Sequence, residues 1–584
     1  MAAVVALVPA PVSGAVDDHF GREVKSLRIE GVGDEIRGTL RGGLELTPRR
    51  GFLRVDHTRL DRGVLQRDID RIELYLARHG RPYATVTAEG TPTGDDGVAL
   101  RLRIDPGPEV RFGAVEVESW PEGYDRPQLP IAEGERFVDA EVTVARRALE
   151  EELRSLGFAR ATVDRSITVQ DSTRVTVRFD VAEAERFRFD GLVIEGSGPQ
   201  LRELARRSIE DPVGETFSPV TLEHARRDLR ELGLFRQVRV RADESGTDTL
   251  DLVVRLTERD MRTLGFGIGT WTDHPIQLTA EWRHRDLFGG GRGFRIDGSY
   301  ALNLRELSAA TNWPVLIARR SESTLGTRLR IEDEDSYWSQ EIEVYLDHLF
   351  RVGQRTSWRV GTSWTTTTLD IRTEDRDAFE TRPGQQVLFD VRWFHDGVDD
   401  LLDPNDGRRL RAEGEIAPAF PFADATFASL RGSWVEVESL AEGTILATRL
   451  DLATAWPIGG AVDLLPTQRW YGGGFNTHRG APRRGLGPTD ADDDPIGGQW
   501  RALAGVELRQ DLNDWLGAVF FVDTGQVWAT TDRVGVEDVV VAVGTGPMFR
   551  TPIGPIHLDF AWNVGERPAD GSNWVFNFGI GHAY

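Results

Sequence analysis

From residue 259 to residue 584 the chain alternates between apolar and polar residues, and this period of two decides what it can become. In "FRIDGSYALNL" Phe294, Ile296, Tyr300, Leu302 and Leu304 fall on one face, with Arg295, Asp297, Ser299 and Asn303 on the other. "WSQEIEVYLDHLF", "VLFDVRWF", "ILATRLDLATAW" and "WRALAGVELRQDL" repeat the pattern. Such alternation specifies strands rather than helices. One face is charged enough for a wet lumen, and the other is large, apolar and aromatic at its ends, as lipid requires of a barrel wall. Of 16 tryptophans only Trp120 precedes this region, so the two parts of the chain meet different surroundings. A soluble sandwich with one solvated face is the competing fold. It would leave "NWVFNFGIGHAY", with Trp574, Phe576, Phe578, Ile580, His582 and Tyr584 on one face, as an edge strand prone to aggregate in water. At about 20 residues per strand and connection, residues 259–584 hold roughly 16 strands. We therefore expect a 16-stranded antiparallel transmembrane β-barrel.

Residues before 259 follow a different rule. "LYLARHGRPYATV", "EELRSLGFARATV" and "RDLRELGLFRQVRV" align on Gly80, Gly157 and Gly233. Each follows an amphipathic helical pattern: Leu65, Ile69, Ile72 and Leu76; Val142, Ala145, Leu149 and Leu156; Leu222, Ala225, Leu229 and Leu232. The glycine stands where a helix needs a left-handed residue to stop. Two strands follow each time, the second with an apolar face such as Val98, Leu100, Leu102 and Ile104. The pattern predicts three β-α-α-β-β modules at residues 22–105, 106–182 and 183–258, an α+β repeat preceding the barrel at 259–584. Residues 1–15 read as a signal peptide closing on Ser13, Gly14 and Ala15, although they lack a positive n-region.

The bulk properties exclude several chemistries. A formal charge of −24 argues against nucleic acid as a partner. With no cysteine there is no thiol nucleophile and no disulfide frame. The 11 histidines show no metal-ligand spacing, so neither a metal nor another cofactor is expected. No catalytic constellation is present, and no enzyme activity is expected. "FGGGRGF" at 288–294 lacks the lysine of a phosphate loop and reads as a turn, and "TDADDDP" at 489–495 reads as a solvated loop rather than a calcium site.

One connection resists this bland reading. "YGGGFNTHRGAPRRGLGP" (471–488) is glycine-rich, basic and too long for a turn. It carries Gly472, Gly473 and Gly474, then Arg479 and Gly480, then Gly487 and Pro488. Downstream, Glu507 has the opposite parity to Val506 and Leu508, and Asp523 the opposite parity to Phe520 and Val522. Both carboxylates are therefore expected in the lumen, where Arg479 with its fixed fork of donors is able to bridge them. The loop would then fold inward, its glycines allowing close approach to the wall.

These motifs, with "DLFGGGRGF", "DPNDGRRL", "GVELRQ", "FFVDTGQVW" and "TPIGPIHLDFAW", resemble the BamA/TamA outer-membrane assembly family, and the three modules resemble its POTRA domains. The module count sets the resemblance nearest TamA. His478 and Ala481 depart from the apolar and aromatic neighbours usual in that family. The resemblance implies a Gram-negative outer-membrane protein with periplasmic modules. It would insert or translocate unfolded outer-membrane clients, autotransporters among them, within the lipid bilayer, with an inner-membrane-anchored TamB-like partner. The glycines of the first strand, Gly265, Gly267 and Gly269, would make a weak lateral seam against Phe576, Phe578, Ile580 and Tyr584. A passive channel and a dedicated two-partner-type secretion pore remain the alternatives.

Overall fold

The computed structural model describes residues 16–50, 55–56, 58–182, 185–271, 274–372, 384–421, 423, 426–459, 463–530, 534–552, 554–568 and 570–582. The proposed signal peptide and Tyr584 lie outside them. The chain clusters into two compact units, residues 1–193 with 212–223 and 241–253, and residues 194–211 with 224–240 and 254–584.

Three small sheets precede the barrel, each of three strands. In the first, β1 (Glu23–Glu30) is followed by α1 (Asp34–Gly43), a hairpin of β2 (Arg49–Arg50) and β3 (Val55–Asp56), α2 (Arg62–Arg78), β4 (Thr85–Thr93) and β5 (Gly97–Asp105). The last strand runs through the middle, parallel to β1 and antiparallel to β4. Its inward residues Val98, Leu100, Leu102 and Ile104 are buried against Leu65, Ile69, Ile72 and Leu76 of α2. Helix α2 stops as its sequence requires: Gly80, just beyond the cap, has φ +80°.

The middle module departs from the expected pattern. Its described residues give β6 (Arg111–Glu118), one helix α3 (Asp139–Ser155), β7 (Val163–Asp171) and β8 (Arg174–Val181), with no helix between β6 and α3. Pro121, Pro127 and Pro130 fall in that interval together with Gly123 and Gly134. Proline removes a backbone donor and pushes its predecessor out of helical geometry, so the segment stays irregular and packs through Trp120, Tyr124, Leu129 and Ile131. The third segment restores both helices: β9 (Arg188–Glu195), α4 (Pro199–Ser208), α5 (Pro219–Glu231), β10 (Phe235–Glu244) and β11 (Thr249–Glu258).

Beyond it, 16 strands pair in sequence order into one antiparallel sheet, from the first (Arg262–Trp271) to the sixteenth (Trp574–Ile580). The first and sixteenth come alongside each other, so the sheet is a nearly closed barrel. The thirteenth strand (Leu516–Trp528) shows the wall's two faces: Phe520 and Val522 are 52% and 43% exposed, whereas Phe521 and Asp523 are 4% and 1% exposed. No helix of the described residues is long and apolar enough to cross a membrane.

In the first module Asp68 of α2 is fully buried. Its two carboxylate oxygens accept from the backbone amides of Glu45 and Leu46 at 3.0 and 2.9 Å, and Arg71 donates to it at 3.0 Å. Asp68→Ala strands two amides, each worth about 1–3 kcal/mol when buried unpaired. Amides 45 and 46 should then exchange with deuterium much faster in the full chain, while barrel amides keep their protection. Unchanged exchange at both amides would show that Asp68 does not hold this segment.

Candidate functional site: a lumen loop pinned by a buried arginine

The connection from the eleventh strand (Thr444–Pro457) to the twelfth (Trp500–Asp511) folds back into the barrel, where its central residues are buried. Its backbone is shaped by local necessity. Gly473 has φ +107°, and a Cβ there would lie 2.2 Å from the Pro482 carbonyl oxygen. At Gly480 a Cβ would lie 2.3 Å from Ala542 Cβ and 2.4 Å from Asn563 Oδ1. Only glycine lets the loop approach the wall this closely.

Arg479 is the centre. Its side chain is fully buried, and its Nη1 donates to Glu507 Oε2 at 2.5 Å and to Asp559 Oδ2 at 3.2 Å. Asp523 takes the other side of the fork, accepting from Nε at 2.8 Å and Nη2 at 3.1 Å, and also from the Arg479 amide at 3.1 Å. The guanidinium lies 3.4 Å from the centre of the Phe521 ring. Two more arginines complete the cluster. Arg509 donates from Nε to Glu507 Oε1 at 2.7 Å, and Arg449 lies 3.9 Å from Asp523 while donating to the carbonyls of Asn476 and Thr477. Arg449, Arg479 and Arg509 thus face Glu507, Asp523 and Asp559, three positive groups against three negative. Desolvation is tolerable only because the charges balance and each of the three side-chain nitrogens of Arg479 is hydrogen-bonded.

The loop is fastened beyond this centre as well. Asn577 Nδ2 donates to the Arg479 carbonyl at 2.8 Å, and Asn563 Nδ2 to that of Gly480 at 2.7 Å. At the other end Arg483 grips Glu334 with two bonds of 2.6 and 2.7 Å. His478 faces the Val540 carbonyl at 3.2 Å, which gives the polar replacement at the loop tip a partner in the fourteenth strand. The acidic stretch after the loop forms a turn on itself, with the amides of Asp492 and Asp494 donating to Asp490 at 3.0 and 2.9 Å.

The structure thus brings Arg479, Gly480, Glu507 and Asp523 together. Asp559, Phe521 and Asn577 were not singled out from sequence. Parity was the available signal, since Asp559 alternates with the lipid-facing Phe560, and Asn577 is the polar inward residue between Phe576 and Phe578. His582 is a correction. Sequence parity puts it with the lipid-facing residues, but the strand ends at Ile580 and Gly581 has φ +91°, so alternation is lost and the imidazole turns inward to Asp403. At the proposed seam, Phe266 and Ile268 of the first strand are 79% and 78% exposed, and Gly265, Gly267 and Gly269 alternate with them. No hydrogen-bonded ladder joins the first strand to the sixteenth among the described residues.

Residues 286–584 match the model of the Omp85 superfamily domain. The chain belongs to the Omp85 superfamily. Residues 125–184 match the POTRA model described as the surface antigen variable number repeat. The outer membrane protein assembly factor BamA of Nitratidesulfovibrio vulgaris is 21% identical over 591 residues, covering 96% of this chain and 73% of that protein. BamA of Neorickettsia risticii is 22% identical, covering 86% of this chain and 70% of its own. Among solved structures, Haemophilus ducreyi BamA lacking POTRA domains 1–3 superposes with a TM-score of 0.64 at 18% identity, over 81% of this chain and 99% of that one, which speaks to the fold. An Omp85 barrel carrying POTRA sequence resides in the outer membrane of a Gram-negative bacterium, with the POTRA region in the periplasm.

The arginine cluster has a stability signature. Arg479→Ala leaves three buried carboxylates against two arginines, a loss of about 3–5 kcal/mol. Arg479→Lys keeps the charge but loses the fork, and should fall between. Heat-modifiability on cold gels of the detergent-extracted protein orders the variants: wild type unfolds at the highest temperature, Lys next, Ala lowest. A melting order with Ala equal to wild type would remove the cluster as the fastening of the loop.

Proposed function

We propose that this protein inserts other β-barrel proteins into the outer membrane, through a seam between its own first and sixteenth strands. The observation that carries this reading is the seam itself: two adjacent strands without a ladder among the described residues, in a sheet whose other neighbours are all paired. Glycine supplies no cross-strand side-chain contact, so a strand built on Gly265, Gly267 and Gly269 opens at little cost. An unpaired strand edge is a template for β-augmentation, by which an unfolded client strand adds to the sheet. The relatives support the same reading, because those matched over most of this chain are named outer membrane protein assembly factors.

The wall is also lopsided. The sixteenth strand has 7 residues, whereas the sixth (Tyr337–Val352) and seventh (Thr356–Ile371) have 16. Seven extended residues reach only about 23 Å, less than the hydrocarbon thickness of about 30 Å. Lipid beside the seam would have to thin or disorder to match it, which would lower the barrier to a client crossing there. The POTRA region would receive clients from the periplasm on its sheet edges. Three such modules suit a TamA-type role that includes autotransporters and an inner-membrane-anchored TamB-like partner. No nucleotide hydrolysis or other catalysis is part of this mechanism. A passive channel would need an open lumen, whereas here Arg479 and its loop are packed within it.

Cysteines placed in pairs between residues 265–269 and 575–579 test the seam in a chain that has none of its own. Oxidation should abolish client insertion in proteoliposomes, and reductant should restore it. Insertion that persists in the cross-linked protein overturns lateral opening. In cells, a deletion strain should lose several outer-membrane barrel proteins, rescued by the full chain but not by one lacking residues 22–182. Loss of a single secreted protein would instead identify a dedicated secretion pore, and an intact proteome with reduced solute uptake would identify a channel.

A further inference from the structure

Even-numbered strands run back toward the end of the barrel where the first strand begins, so the turn after the eighth strand (Gln385–Asp396) lies at the same end as the close of the sixteenth. That turn, residues 397–406, is braced by its own side chains. Asp399 Oδ1 accepts from the amides of Asp400 and Asn405 at 2.9 Å and of Asp406 at 3.1 Å. Asp400 Oδ1 accepts from the amides of Leu402 and Asp403 at 2.7 and 3.0 Å. The result is a rigid platform that presents Asp403 and Pro404.

Both meet the opposite side of the barrel. After Ile580 the chain loses its strand partner, and the Gly581 amide makes one last bond to the Pro555 carbonyl at 2.7 Å. Gly581 then turns His582 inward, where its side chain is 2% exposed and its Nε2 lies 2.8 Å from Asp403 Oδ1. The His557 ring packs edge-on against it, with ring centres 5.2 Å apart. Next to this contact the Pro404 carbonyl accepts from Arg509 Nη1 at 3.3 Å. Arg509 binds Glu507, and Glu507 binds Arg479. One polar chain therefore runs from the lumen loop through the twelfth strand to the turn after the eighth strand, with the end of the sixteenth strand beside it.

We propose that turn 397–406 is a latch on the sixteenth strand: the Asp403 carboxylate holds His582 and fixes the strand's end, and Arg509 ties the turn itself to the arginine-pinned loop. Asp403 and His582 are positioning residues that set how far the seam strand frays. The consequence for client insertion rests on the lateral-opening reading above. The latch itself does not.

Hydrogen–deuterium exchange on the full chain in lipid nanodiscs reads the latch directly. Asp403→Ala and His582→Phe should each speed exchange of the amides of residues 575–580 about tenfold, the worth of one hydrogen bond to a charged group. The double variant should exchange no faster than either single variant, and amides of the sixth and seventh strands should not change. Asp403→Asn keeps an acceptor oxygen in the same shape, should give an intermediate rate, and replaces Asp403→Ala if that variant does not fold. Unchanged exchange at 575–580, or rates that multiply in the double variant, overturns the latch. If exchange rises while client insertion stays at the wild-type level, the latch stands and lateral opening as the insertion route falls.

Discussion

Everything distinctive about this barrel depends on one guanidinium kept away from water. Arg479 is stable in the lumen because three carboxylates and an aromatic face replace its hydration shell, while Arg449 and Arg509 balance the remaining charge of those carboxylates. Such a cluster contributes less to net stability than its contacts suggest, since each charge has been desolvated to make it. Its value lies in specificity. Glu507, Asp523 and Asp559 come from the twelfth, thirteenth and fifteenth strands, and one loop position satisfies all three. A loop displaced by a few ångströms would strand buried charges on both sides, so the packed arrangement is separated from partly docked ones by a large penalty.

The wall obeys a simpler rule. Alternation fixes which residues face lipid, and register pairing of neighbours in sequence order does the rest. Pairing with the next strand in sequence is local, whereas closure of the first strand on the sixteenth is the longest-range contact in the sheet and has the weakest side chains to reward it. At that position, where no ladder is present among the described residues, three glycines without side chains to pack across the seam face a strand of only seven residues.

The wall and the lumen carboxylates were legible because parity in a strand is a strong code. Glu507 and Asp523 are displaced by one residue from lipid-facing neighbours, and that displacement puts them inside. Asp559 obeys the same code but carries no glycine or arginine motif to draw the eye, and Asn577 looks like an interruption of an aromatic strand until the Arg479 carbonyl is seen beside it. The missing helix of the middle module was also written in the chain, in Pro121, Pro127 and Pro130, but repeat similarity with the flanking modules outweighed local chemistry. His582 was not legible. Parity fails once a strand ends, and its partner Asp403 lies 179 residues away in a turn with no periodic signal.

The distribution of fastenings makes the barrel mechanically asymmetric. Through Arg479, Gly480 and His478 the loop touches every strand from the twelfth to the sixteenth, the fourteenth by way of Ala542 and Val540. Those five strands therefore share a polar core as well as ladders, and behave as one stiff panel. The first strand has its ladder to the second strand and three bare apolar residues, Leu264, Phe266 and Ile268, turned to lipid. Under the lateral-opening proposal, the side that would yield is the one with the fewest interactions to lose, so the first strand would swing and the sixteenth would stay with its panel. A client strand would then meet a mobile glycine-rich edge on one side and a short, anchored aromatic edge on the other. If the two edges differ in stiffness as their interactions imply, that difference would give the seam a direction in which to open.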